Sequence, residues 1–273
     1  FLEGRPDSCL DAARKAETSG YCAIPLWIRL RPISPAGAAS SSVPRRPLGP
    51  ALVRVPGGSF WMGSWGEPRD GPRRRVTVSA FELDVTEVTV AEYQDCVDAG
   101  ACERPLARPR FYPTPCNVDV PGREAHPVDC VSFFDAAAYC AWAGKRLPSE
   151  EEWDLAARGT EGRRFPWGDA SPDGRACWNR SSSCPVGSFP QGHSPLGVDD
   201  LAGNVREWTE APFCPVHLPS CWSDTVTVRG GSWGCVDPEC VSARSRSNWG
   251  RDESATGLGF RCARTLRRQA PPR

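Results

Sequence analysis

Apolar and polar positions alternate along Val76-Thr-Val-Ser-Ala-Phe-Glu-Leu-Asp84. That is the period of a strand with one buried face, and one half-buried strand is expected there. Upstream, Val53-Arg-Val and Ser59-Phe-Trp-Met flank Pro56-Gly-Gly, which reads as two short strands separated by a turn. The period then changes. Thr89 opens a helical pattern that runs to about Asp98 and is stopped by Gly100. Ser132, with Asp135 three residues on, resembles a capping box and opens a second helix carrying Phe133, Ala137, Tyr139 and Cys140 as far as Gly144. Ser149 with Glu152 is a full capping box. It opens a third helix with Trp153, Leu155 and Ala156 that stops at Gly159.

Beyond Gly159 no long helix is signed. The segment is rich in Gly, Pro, Trp and Cys, and it is expected to hold its shape through disulfides, aromatic packing or bound ions rather than a regular sheet. The class is therefore α+β with a high irregular content. Residues 1–50 are small, polar and proline-broken, and read as a flexible Pro/Ser/Ala-rich segment. The globular domain is expected over 51–264, with a loose tail at 265–273.

Composition narrows the setting. Thirty-three basic and 33 acidic residues cancel, so no general attraction to nucleic acid or an anionic membrane is expected. No apolar run approaches a membrane span. The chain opens at Phe1 without a basic-then-apolar leader, so any signal peptide is expected to be absent from it. Fourteen cysteines, an even number, point to a disulfide framework and an extracytoplasmic setting: secreted, periplasmic or surface-exposed. Close pairs suggest themselves at Cys9 and Cys22, Cys96 and Cys102, Cys116 and Cys130, Cys177 and Cys184, Cys214 and Cys221, and Cys235 and Cys240. Zinc is less suited: there is no C-x-x-C, and the three histidines, His126, His193 and His217, are far apart.

One run of ordered motifs carries more than composition does. Val55-Pro-Gly-Gly-Ser-Phe-Trp-Met-Gly, Asp84-Val-Thr-Glu-Val-Thr and Ala138-Tyr-Cys-Ala-Trp-Ala-Gly-Lys-Arg-Leu-Pro-Ser-Glu-Glu-Glu-Trp lead it. Phe165-Pro-Trp-Gly-Asp, Leu201-Ala-Gly-Asn-Val-Arg-Glu-Trp, Arg229-Gly-Gly-Ser-Trp and Gly259-Phe-Arg complete it. Together they resemble the sulfatase-modifying-factor family, the formylglycine-generating enzymes and their relatives, over roughly residues 52–264. The resemblance implies the family's variant of the C-type-lectin fold. It also implies a Cys140–Cys262 bridge, and core positions for Trp61, Trp142, Trp153, Trp167 and Trp208. Trp65, Trp222 and Trp249 fall in variable loops.

The same resemblance nominates two sites. Spacing alone makes Asp199–Glu207 a solvated acidic turn. Matched to the family, Asp200, Gly203, Val205 and Glu207 become a structural calcium site, with two carboxylates and two carbonyls on a short arc. In active family members two cysteines after Arg-Gly-Gly-Ser bind copper(I), for which soft thiolates are suitable ligands. Cys235 and Cys240 hold those positions here, and Ser232 and Arg206 fall where a substrate peptide would lie. Three departures argue against oxidation. Cys240 abuts Val241-Ser-Ala-Arg-Ser without the stretch active members insert, Arg206 replaces a groove tryptophan, and Val236-Asp-Pro-Glu lacks a histidine and a tyrosine. The expectation is a non-catalytic module that binds a peptide, a glycan or a partner protein, a sulfatase among them. The alternative is a copper- and oxygen-dependent oxidase converting a sulfatase cysteine to formylglycine.

Overall fold

A computed structural model of the chain describes residues 49–63, 73–105, 114–213 and 222–266. Nearly all of the N-terminal segment, most of the tail, and the pairs Cys9/Cys22 and Cys214/Cys221 lie outside the described residues, as do Trp65 and His217.

The three helices form where their caps place them. Helix α1 (Val90–Asp98), α2 (Phe133–Trp142) and α3 (Glu150–Arg158) each begin at a complete capping box, from Thr89, Ser132 and Ser149 respectively. In each, the cap hydroxyl accepts from the N3 amide, and the N3 carboxylate accepts from the cap amide, so two otherwise orphaned donors are satisfied. Asp135 completes the box of α2 as fully as a glutamate would.

Strands β1 (Leu52–Val55) and β2 (Gly58–Met62) flank the Pro-Gly-Gly turn but do not pair with each other. The single strand expected over 76–84 is instead two: β3 (Arg74–Val78) pairs with β2, and β4 (Phe81–Asp84) pairs with β1. The alternation changes phase at Ala80-Phe81, two apolar residues in a row, and the strands separate there. Gly57 permits it. A Cβ there would stand 2.5 Å from the Val78 carbonyl oxygen and the Ala80 nitrogen, so only glycine lets the two turns pass this closely.

The segment after Gly159 also departs from expectation. It contains a regular four-stranded sheet, β7 (Arg246–Gly250), β6 (Trp222–Arg229), β5 (Arg206–Phe213) and β8 (Leu258–Gly259), in that order, and β9 (Ala263–Thr265) adds to the outer edge of β4. The signal was hidden because β5 and β6 bury polar side chains: Glu207, Thr209, Thr227 and Arg229 are all 0–1% exposed. Trp249 accordingly sits in a strand and packs on the core, not in a loop. Trp153 and Trp208 are fully buried as expected, whereas Trp61 is half exposed, its ring beneath the Arg73 guanidinium at 4.6 Å. The pleat puts Phe60 and Met62 inward and Trp61 outward.

Five disulfides join described residues: Cys96–Cys102, Cys116–Cys130, Cys140–Cys262, Cys177–Cys184 and Cys235–Cys240. Four of them close local loops. Cys140–Cys262 spans 122 residues and fixes α2 to the segment leading into β9, within a core of Tyr93, Tyr139 and Phe260. Closing so long a loop removes on the order of 4–5 kcal/mol of unfolded-chain entropy. The double variant C140A/C262A should therefore lose stability of that order, read as a lowered urea midpoint; C96A/C102A, closing a far shorter loop, should lose less. Equal losses in the two would contradict the assignment of the long bridge as the main staple.

Candidate functional site

Two neighbouring clusters meet along β5 and the loop preceding it. The first is electrostatic. Arg261, fully buried between β8 and β9, donates from Nε and one terminal nitrogen to both carboxylate oxygens of Glu207, at 2.7 and 2.8 Å. Its guanidinium also donates to the carbonyls of Asp84, Val85 and Asp199 at 2.8–3.1 Å. The Trp153 indole N–H from α3 completes the Glu207 shell at 2.8 Å.

Around this pair lie two further buried carboxylates. Glu87 accepts from the Asn204 side chain and the Val205 amide. Burial, reinforced by the charges of Asp200 and Glu207, pushes the Glu87 carboxyl well above the usual range. Asp200 accepts from the Gly187 amide at 2.6 Å, and burial pushes its carboxyl up to about 6. Three carboxylates thus surround one guanidinium.

The backbone here is tightly curled. Asp200, Gly203 and Asn204 all have positive φ, at 57°, 84° and 56°. At Gly203 a side chain is impossible, because a Cβ would lie 2.4 Å from the Cys177 carbonyl oxygen. The four residues nominated for calcium therefore sit on one curled arc, but Glu207 is already engaged by Arg261 and Trp153. Glu87 and Arg261 were not nominated, although both stand inside quoted motifs, Asp84-Val-Thr-Glu87 and Gly259-Phe-Arg261. An acidic residue with Val85 and Val88 close on either side, in a strand-to-helix connection, was the available signal. Among the described residues, the one trio of potential ligand atoms within 4.8 Å of one another is Cys116, Asp129 and Cys130, and both of those cysteines are bridged.

The second cluster is the cysteine segment. Strand β6 ends at Arg229, whose buried guanidinium pairs with Glu150 and Asp154 of α3 and donates to the Ala243 carbonyl. This anchors Gly230-Gly231-Ser232 over α3. Gly231 lies against the backbone of Cys240, where a Cβ would be 2.2 Å from the carbonyl oxygen. Cys235 and Cys240 are bridged across a short 3-10 turn, Pro238–Val241, and pack with Phe165, Val241, Trp167 and Trp178.

Arg206, the first residue of β5, reaches this segment. One terminal nitrogen donates to the Ser232 hydroxyl at 2.8 Å; the other lies 3.9 Å from the sulfur of Cys235 and 4.0 Å from that of Cys240. Beside them opens a pocket of about 310 Å³, lined by Arg206, Ser232, Trp233, Gly234, Trp249, Thr114 and Thr256. Thus the four residues nominated for this site, Cys235, Cys240, Ser232 and Arg206, do come together. Only Arg206 and Ser232 face the pocket.

The fold and these two clusters define a sulfatase-modifying-factor domain, and comparison with known proteins agrees. The model of the sulfatase-modifying factor enzyme 1-like domain matches residues 38–266. The chain belongs to this family. It is 36% identical to a formylglycine-generating enzyme of Streptomyces coelicolor, over 84% of this chain and 94% of that protein. It is 32% identical to the inactive C-alpha-formylglycine-generating enzyme 2 of Mus musculus, over 81% of this chain and 89% of that one. Among solved structures, PvdO from Pseudomonas aeruginosa superposes with a TM-score of 0.64 at 27% identity, covering 80% of this chain and 95% of its own. Relatives of both kinds, active and inactive, are similar to this chain, so family membership leaves the chemistry to the site itself.

Removing one partner from a buried ion pair strands the other's charge, which costs about 3–5 kcal/mol. Arg261→Met should lower stability by that order in chemical denaturation, well beyond the loss for Arg264→Met, whose guanidinium pairs with Glu82 at the surface. Comparable losses for the two variants would show that the buried hub is not a structural anchor.

Proposed function

We propose that this chain is an extracytoplasmic formylglycine-generating-enzyme-like module that binds a peptide segment of a partner protein without oxidising it. The observation that carries the reading is Arg206. Its guanidinium lies against both sulfurs of the Cys235–Cys240 bridge and lines the adjoining pocket, which neither cysteine does. Copper(I) held by two thiolates needs a position open to oxygen and to a substrate thiol. These residues fit that requirement poorly, since the Arg206 side chain already lies against both sulfurs on the side of the pocket.

The pocket suits binding. The Trp233 and Trp249 rings offer apolar walls, and Arg206 and Ser232 offer polar groups at one end. A peptide carboxylate or carbonyl is the chemistry that Arg206 would engage. The disulfide content supports an oxidising compartment. Among the described residues, no helix is long and apolar enough to cross a membrane. The oxidase remains the second reading, favoured by the spacing of Cys235 and Cys240 directly after Arg229-Gly-Gly-Ser232; their bridge to each other is compatible with it and does not add to it.

The test is an oxygen-dependent assay on a peptide bearing a sulfatase cysteine motif, with copper(I) supplied to the reduced protein. The expected result is no formylglycine. Turnover that disappears in Cys235→Ser would establish the oxidase instead.

We also infer a structural calcium ion on the arc of Asp200, Gly203, Val205 and Glu207. The donor chemistry fits a hard cation: Asp200 and Glu207 are buried carboxylates, Glu207 Oε1 accepts a single hydrogen bond, from Arg261, and so keeps a lone pair, and the loop turns its backbone tightly at Gly203. Such an ion would hold the arc's carboxylate and carbonyl oxygens together and fix the start of β5. Because an ion bound to the folded state stabilises it by mass action, a chelator should lower the melting temperature. Glu207→Ala, itself less stable, should show no further drop with chelator. Identical melting of the wild-type protein with and without chelator would remove the calcium.

A further inference from the structure

The family resemblance places Trp61 in the core, yet it is half exposed. Its setting is the two-stranded ribbon of β2 and β3, whose pleat sends alternate residues to opposite sides. Phe60, Met62 and Val78 are buried on the inner side. Ser59 and Trp61 of β2 face outward with Arg75 and Thr77 of β3, and all four are exposed. The register sets Trp61 directly across from Arg75, and Ser59 directly across from Thr77. Arg73, just before β3, lays its guanidinium over the Trp61 ring at 4.6 Å. One small surface therefore presents an indole, two guanidiniums and two hydroxyls, and those hydroxyls share a hydrogen bond of 2.7 Å.

The three consecutive arginines have different fates. Arg74 turns to the other side, where it pairs with Glu151 of α3 at 2.6 Å and donates to the Met62 sulfur. Among the described residues, no carboxylate pairs with Arg73 or Arg75, so two exposed cations stand beside one exposed ring. A guanidinium meets a flat or tetrahedral oxyanion through parallel N–H donors. The indole face is negative and attracts the C–H groups of an apolar ring face. A ligand that carries both, an oxyanion and a C–H face on one rigid ring, is an acidic sugar. The hydroxyl pair adds donor and acceptor capacity for the sugar's own hydroxyls. Other polyanions use this surface less completely. A nucleic-acid strand is held by successive stacked bases along a basic groove, and the ribbon offers one ring. A membrane surface calls for a broad apolar face, and Ser59 and Thr77 stand in that place. A run of acidic residues would engage the guanidiniums and leave the indole without a partner.

We propose that the outward face of the β2–β3 ribbon is a binding surface for an acidic glycan, with Arg73 and Arg75 pairing with its sulfate or carboxylate groups and Trp61 stacking on a sugar ring. The surface is separate from the Arg206 pocket and does not rest on the reading given for it, since it shares no residue with that pocket's lining. Cross-strand pairs of this kind also stabilise a ribbon, so stability and binding are measured on the same variants.

The experiment is titration calorimetry of the whole chain at low salt. The probes are a heparin-derived hexasaccharide, its desulfated form that keeps the uronate carboxylates, hexaglutamate, hexathymidylate and phosphatidylserine vesicles. The two sugars distinguish sulfate from carboxylate as the group recognised. The variants are W61T, W61F and the double R73Q/R75Q. All three positions are exposed, threonine and phenylalanine both suit a strand, and melting midpoints confirm folding.

The expected result is saturable binding of at least one of the two sugars by the wild-type protein, tighter than that of the other three probes and weakened by added salt. R73Q/R75Q should weaken it about tenfold or more, through loss of two charge-assisted contacts. W61T should weaken it about fivefold, with W61F between W61T and wild type. Failure of both sugars to bind overturns the proposal. So does sugar binding that survives R73Q/R75Q, because the ligand would then lie elsewhere. Sugar binding that a folded W61T protein retains in full overturns it too, since charge alone would then hold the ligand. Equal or tighter binding of hexaglutamate, hexathymidylate or the vesicles identifies a different polyanion and overturns the glycan.

Discussion

The buried pair of Arg261 and Glu207 is the interaction on which the rest of the molecule is arranged. Arg261 brings five donors in a fixed plane, and the protein uses that plane to hold three stretches of chain. The Glu207 carboxylate fixes β5; the carbonyls of Asp84 and Val85 fix the end of β4; the Asp199 carbonyl fixes the loop before β5. Because Trp153 donates to the same carboxylate, α3 is tied in as well. Sequentially distant segments thus share one polar centre whose chain neighbours Trp208 and Phe260 belong to one apolar cluster and whose partner Trp153 belongs to the other. A buried ion pair is a poor source of net stability, since desolvation offsets much of its attraction. Its effect here is positional: four backbone segments acquire one relative placement.

That placement carries outward to the pocket. Residues 206 and 207 are adjacent in β5 and point to opposite sides of the strand. Glu207 is locked inward by Arg261, so Arg206 is directed toward Ser232 and the cysteine segment. The segment is held from its own side by Arg229, which pairs with Glu150 and Asp154 on α3. Two buried arginines thereby set the geometry between a third arginine and a disulfide. The same scaffold with another residue at position 206 would present the sulfurs to a different partner.

Much of this was legible in the sequence, for reasons that differ by element. The helices were plain because their caps are local: Thr89, Ser132 and Ser149 each meet an acidic residue three positions on. The long Cys140–Cys262 bridge followed from family resemblance, because spacing cannot pair distant cysteines. The C-terminal sheet was illegible because Glu207, Thr209, Thr227 and Arg229 break the hydrophobic alternation that announces a strand, yet all are buried. Their burial is possible only through partners far away in sequence. The break between β3 and β4 was marked only by the adjacent apolar residues Ala80 and Phe81, and its cause is a close approach by Gly57 from a different turn. At the candidate site, the sequence named Cys235, Cys240, Ser232 and Arg206 as neighbours. It did not reveal that the arginine, rather than the cysteines, faces the pocket.

Arg206 lies against both sulfurs of the Cys235–Cys240 pair, on the side of the pocket. The most direct measurement is a crystal structure of the reduced protein exposed anaerobically to copper(I), with diffraction recorded on both sides of the copper absorption edge. The expected result is no anomalous peak at Cys235 and Cys240, with the Arg206 guanidinium still seated against both sulfurs and Ser232. A copper peak bridging the two sulfurs, with Arg206 swung away, would contradict it.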